Sequence, residues 1–89
     1  MAWISWEELL SRHAIGGTIT FNANSSAIDV LEYHIQEETM DVTMQDGSQW
    51  PYPGVVRAIT REMFLSFVNG EGYGGSIGRF FNAVVRGRW

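Results

Sequence analysis

Apolar residues fall first at helical spacing, then alternate, then return to helical spacing. Trp6, Leu9 and Leu10 share one face of a helix predicted from Trp6 to about Ala14. Ser5 and Glu8 stand as a capping-box pair, with Ile4 and Leu9 at the positions of a hydrophobic staple. Gly16-Gly17 are expected to stop this helix. Ile19 and Phe21 then alternate with polar residues in a short strand, Thr18 to Phe21, before a polar loop from Asn22 to Ser26. Residues 27–36 read as the next strand. Ile28 and Val30 share one phase while Leu31, Tyr33 and Ile35 take the other, which places a bulge near Val30. Glu37-Glu38 is a turn. Met40, Val42 and Met44 alternate with Asp41 and Thr43, the pattern of a half-buried strand. Asp46-Gly47 marks a hairpin. Gln49 to Tyr52 returns from it, with Trp50 and Tyr52 on one face and Pro51 confining the strand to an edge.

Helical spacing resumes at Pro53-Gly54, expected to open a helix that runs to about Asn69. Val56, Ile59, Met63, Phe64, Phe67 and Val68 form its apolar stripe, and Arg57 and Arg61 lie one turn apart on its other side. Ser76 caps a last helix from Ile77 to about Arg86, with Ile77, Phe80, Phe81 and Val84 inward and Arg79, Asn82 and Arg86 on the polar face. The whole pattern is α+β: an antiparallel β-meander of three to four strands packed on helices, with an N-terminal helix, in one compact domain.

Composition sharpens this picture. An 89-residue chain buries only about 60–65% of its unfolded surface, so its stability is marginal. It must also accommodate four Trp, five Phe and three Tyr, and a homo-oligomer is expected, built through the N-terminal helix or the edge at Trp50. Cysteine is absent, which fits a cytoplasmic setting, bacterial or within an infected host cell. The N-terminus has no secretory pattern, and no apolar run reaches the roughly 18 residues that would cross a bilayer, so no membrane partner is expected.

Charge is partitioned. Residues 1–56 hold eight carboxylates and one arginine, net −7; residues 57–89 hold five arginines and two glutamates, net +3. There is no lysine. Arginine presents a planar fork to phosphate and also stacks on aromatic rings. Here Arg57, Arg61, Arg79, Arg86 and Arg88 are interleaved with aromatic residues and the glycine-rich segment 70–75.

From Ser25 onward the chain resembles the KTSC domain, a short bacterial and phage domain that is also appended to some lysyl-tRNA synthetases. The resemblance runs through Ser25-Ser26-Ala27-Ile28, Leu31-Glu32-Tyr33, Met40-Asp41-Val42-Thr43-Met44 and Gln45-Asp46-Gly47. It continues in Trp50-Pro51-Tyr52, Pro53-Gly54-Val55 and Gly75-Ser76-Ile77-Gly78-Arg79-Phe80-Phe81-Asn82, and closes on Val85-Arg86-Gly87-Arg88-Trp89. Trp50 replaces the first tyrosine of the family's tyrosine-any-tyrosine pair, and the loop before the last helix has extra glycines. Residues 1–24, the N-terminal helix and short strand, lie outside the resemblance, and 25–89 form the KTSC-like part. The resemblance implies a small meander backed by helices, with RNA binding as the expected activity.

Catalytic chemistry has little support. His13 and His34 lack a third ligand signature, so no metal or cofactor is expected. No serine occupies a nucleophile elbow. The glycine-rich segment ahead of Ser76 suggests a phosphate cradle, although no Walker or dinucleotide fingerprint is present. The expectation is a non-catalytic binding protein for a nucleotide-like or single-stranded nucleic-acid ligand, such as a phage sponge for a signalling nucleotide. Its ligand-binding residues would be Trp50, Tyr52, Arg57, Arg61, Tyr73, Ser76, Arg79, Asn82, Arg86, Arg88 and Trp89. The alternative is a phage-type inhibitor that binds a host defence or nucleic-acid-processing protein through the acidic half, Asp29, Glu32, Glu37, Glu38, Asp41 and Asp46.

Overall fold

A computed structural model describes residues 3–87. Helix α1, Trp6–His13, starts where Ser5 accepts a hydrogen bond from the Glu8 amide through its hydroxyl. It ends before Gly16-Gly17, because Ala14–Ile15 already form a short strand, β1. The two glycines, both at positive φ, instead turn β1 into β2, Thr18–Asn22, with Ile15 opposite Thr18. That is the two-residue hairpin geometry such a pair favours.

Strands β3, Ile28–His34, and β4, Thr39–Met44, complete the long part of the sheet. The bulge falls where the phase switch places it: Ile28 pairs with Met44 and Val30 with Thr43, so Asp29 is extra. The slip lets Ile28 and Leu31 both face inward despite their odd spacing. Beyond β4 lie two short strands on the same edge, β5, Gln49–Trp50, and β6, Arg57–Ala58. The sheet is antiparallel, in the order β1-β2-β3-β4-β5 with β6 also on β4. It has more strands than the pattern suggests, because two-residue strands carry no readable alternation.

Two sequence expectations are corrected at this edge. The returning strand stops at Trp50, since Pro51 has no N–H for the ladder, so Tyr52 is not on a shared strand face with Trp50. Helix α2 runs over Arg61–Asn69, not from Pro53-Gly54. Thr60 is its cap, its hydroxyl accepting from the Met63 amide, while Arg57 and Ala58 are held by β4 and the Ile59 amide donates to the Glu38 carbonyl. Ile59 is buried as the stripe implies, but from an extended segment.

The last helix, α3, Ile77–Phe80, continues as a π-helical turn, Phe81–Val85. Helices cover one face of the sheet. Ile19, Phe21, Leu31, Tyr33, Met40 and Val42 point into that layer and pack with Leu9, Phe64, Phe67, Phe80 and Phe81. Tyr33 stacks on Phe64 at 4.4 Å between centroids, and its hydroxyl donates to the Ile59 carbonyl. The other face is polar, formed by residues such as Thr20, Glu32, His34, Asp41 and Thr43 in facing register. No helix among the described residues is long and apolar enough to cross a membrane.

Candidate functional site

Residues 3–24 belong to the same core as the other described residues. Leu9 and Ile19 are fully buried, and the Asn69 side chain accepts from the Ile4 amide at 2.7 Å and donates to the Ile4 carbonyl at 3.0 Å. The site with chemical character lies on the opposite edge, between the β4–β5 hairpin and the last helix.

There the sheet edge and the π turn enclose an open groove of about 790 Å³, within the size range of small-molecule sites. Trp50, Pro51, Tyr52 and Pro53 form one wall, and Phe81, Asn82 and Arg86 the other. Met44, Gln45, Asp46, Ser48 and Gln49 close the hairpin end, beside Ser26 and Ala27. Trp50 is fixed edge-on against Phe81 at 5.3 Å, while Tyr52 is 71% exposed. Of the sequence candidates, the fold brings Trp50, Tyr52, Asn82 and Arg86 together.

Arg86 enters the groove because of the π turn. Its amide reaches back five residues to the Phe81 carbonyl, 2.7 Å away. The extra residue per turn changes the angular phase. Asn82 and Arg86 therefore line the groove while Arg79, expected on the same face, is exposed and outside it. Such π turns occur frequently at functional sites.

The remaining candidates are dispersed. Arg57 sits on β6, so it is not one helical turn from Arg61. Its guanidinium lies over the Trp50 ring, 5.2 Å from the centroid, behind the groove wall, and its Nε is buried with no hydrogen-bond partner. Arg61 lies over Trp6, at 5.9 Å, in a separate pocket with Glu62 and Leu65. Tyr73 packs edge-on against Phe80. Ser76 caps α3 by accepting from the Arg79 amide. Arg88 and Trp89 lie outside the described residues.

The glycine-rich loop has spent most of its amides. Those of Gly70, Glu71, Tyr73, Gly75 and Ser76 all donate to carbonyls of the loop or of α2, which leaves few donors for an anion. The Glu71 carboxylate also sits in this loop, accepting from Ser66.

The charge partition does not produce pairing between the halves: among the described residues, no arginine of the basic half bridges to a carboxylate of the acidic half. Among the described residues Arg12 pairs with Glu8 at 3.3 Å, and His34 Nε2 lies 3.3 Å from Asp41 Oδ2. Arg57, Arg61, Arg79 and Arg86 have no carboxylate of the described residues within bridging distance. His34 also meets the Thr18 hydroxyl, through Nδ1, at 3.4 Å.

Sequence reasoning passed over Asp46, Gln45 and Gln49 as groove residues. Asp46 reads as a turn former, and its Oδ1 does accept from the Ser48 amide at 2.9 Å and the Ser48 hydroxyl at 2.6 Å. These bonds, the hydroxyl's first, hold its carboxyl below the usual aspartate range. The available signal was position: a hairpin tip four residues before a groove tryptophan has to stand beside it.

Comparison with known protein families, with curated proteins and with solved structures finds no match.

Proposed function

We propose that the chain is a non-catalytic binding protein for a nucleotide-like ligand, free or as a unit of single-stranded nucleic acid, and that the β5–α3 groove is its site. The observation that carries this reading is the meeting in one groove of Trp50, Tyr52, Asn82 and an Arg86 with no ion-pair partner among the described residues. An exposed ring offers a stacking platform. An unpaired guanidinium takes phosphate through charge-assisted hydrogen bonds. The Asn82, Gln45 and Gln49 amides supply both donors and acceptors for a base edge. The resemblance to the KTSC domain, with RNA binding as its expected activity, points the same way.

Calorimetry against mono-, di- and cyclic nucleotides and short RNA tests this. Arg86→Ala should lose about 1.5–3 kcal/mol of binding. Most of that loss should vanish at high salt, since screening acts over about 8–10 Å at 0.1–0.15 M. Tyr52→Ala should lose about 1–3 kcal/mol with little salt dependence. Arg79→Ala serves as the control and should bind as the parent does. Absence of any binding tighter than millimolar across the panel, or equal losses in Arg79→Ala and Arg86→Ala, would sink the reading. Weight would then move to a protein partner held by the acidic sheet face, where Glu32 and Asp41 stand directly opposite one another.

A further inference from the structure

Asp46 and Arg86 line the same groove, yet they are not within ion-pairing distance of each other. Each is therefore available to a different part of one ligand. A phosphate is repelled by the Asp46 carboxylate and attracted by Arg86, so the groove orients a nucleotide with its phosphate toward the π turn. Asp46 is left with the uncharged part of the molecule.

What Asp46 can accept is limited by what it already holds. Both Ser48 donors converge on Oδ1, at 2.9 and 2.6 Å. An ionised carboxylate has about four lone-pair sites over its two oxygens, so Oδ1 is saturated and Oδ2 has two left. Side-by-side recognition of a guanine edge needs both oxygens. A ribose diol needs only one oxygen that accepts from one or both hydroxyls. The two Ser48 bonds also fix the carboxylate in direction, which favours selection over loose contact.

We propose that Asp46 makes the groove selective for ribonucleotides, its Oδ2 accepting from the ribose hydroxyls while Arg86 holds the phosphate. This rests on the nucleotide reading above but fails separately from it. Selectivity arises because the 2′-hydroxyl gives the ribo form one charge-assisted hydrogen bond to the exposed Asp46 carboxylate that the deoxy analogue lacks.

The experiment is calorimetry of the full chain with matched ribo- and 2′-deoxyribonucleoside 5′-monophosphates of all four bases. The expected result is about tenfold tighter binding of the ribo form for every base, in line with one hydrogen bond to a charged group. Asp46→Asn, which retains an oxygen for the Ser48 donors, should bring the ratio close to one. Equal binding of ribo and deoxy forms by the parent protein overturns the proposal while leaving the nucleotide site standing, and needs no variant to be read. A preference for guanine that ignores the 2′-hydroxyl also overturns it, assigning Asp46 to the base. If no nucleotide binds, the proposal falls together with the reading it rests on.

Discussion

Among the glycines, Gly70 is the one where an added Cβ meets backbone closest. It ends α2 at φ 57°, and a Cβ built there would stand 2.3 Å from the Ser76 amide nitrogen and 2.4 Å from the Gly75 carbonyl carbon. Backbone on both sides cannot swing away as a side chain would. Gly70→Ala should therefore destabilise by more than about 2 kcal/mol in a denaturant melt, beyond the roughly 1 kcal/mol left-handed strain alone would cost. Tyr33 makes a second residue-scale prediction. Burial, reinforced by the charge of Glu38, pushes its phenol up to about 12. Between about pH 10 and 12 the unfolded chain gives up this proton and the folded chain keeps it, so stability falls as pH rises through that window. Tyr33→Phe should lose about 1 kcal/mol at neutral pH with the bond to Ile59. It should then show a flatter decline from pH 10 to 11.5 than the parent, measured by thermal melts across that range.

At the scale of elements, the N-terminus of α2 decides between two readings of one segment. Val56, Ile59, Met63 and Phe67 have helical spacing, but Thr60 provides a cap and β4 offers hydrogen bonds to Arg57 and Ala58. Thr60→Ala should cost about 1 kcal/mol, as loss of a cap does. A helix already under way by Thr60 would gain slightly from the same change, because alanine is the better helix former. The other end of α2 anchors the N-terminal segment through Asn69, which makes two bonds to Ile4 and one to the Leu65 carbonyl at 2.9 Å. Asn69→Leu should leave the Ile4 groups unpartnered, cost about 1–3 kcal/mol, and speed amide hydrogen exchange first in α1.

Across the whole molecule, the helical layer and the open sheet face differ in charge as well as in packing. The open face holds facing carboxylates from β3 and β4, while Arg57 and Arg61 lie over tryptophan rings and Arg86 lines the groove. Strands β1 and β2 close the opposite edge: β2 pairs with β3 over five positions, from Thr18 with His34 to Asn22 with Val30. A chain beginning at Ser25 would expose the β3 edge and lose the buried Leu9, Ile19 and Phe21. At roughly 1.5–3 kcal/mol for each buried large side chain, that loss is comparable with the whole stability of a small domain. The 25–89 fragment should show no cooperative melt and should bind a hydrophobic dye, whereas the full chain melts in a single transition.

Local chemistry made much of this legible beforehand. The α1 cap at Ser5, the alternation of β4, the bulge before Val30 and the cap at Ser76 depend on residues within four positions of one another, so the sequence carries them intact. The segment from Pro51 to Thr60 was not legible, because its conformation is set by β4, whose residues lie well upstream and whose free edge offers hydrogen bonds that helical spacing cannot reveal. The composition of the groove divides in the same way. Trp50, Tyr52, Asn82 and Arg86 stand out as residue types suited to a planar anionic ligand. Which arginine reaches them depended on the i→i+5 turn at Phe81, and the position of Asp46 beside them depended on the hairpin folding against that turn. The sequence by itself determined the longer elements and their inward faces, since those follow from side-chain periodicity. Only the tertiary structure decided the neighbours, since backbone pairing and helix phase are settled by contacts between residues far apart in the chain.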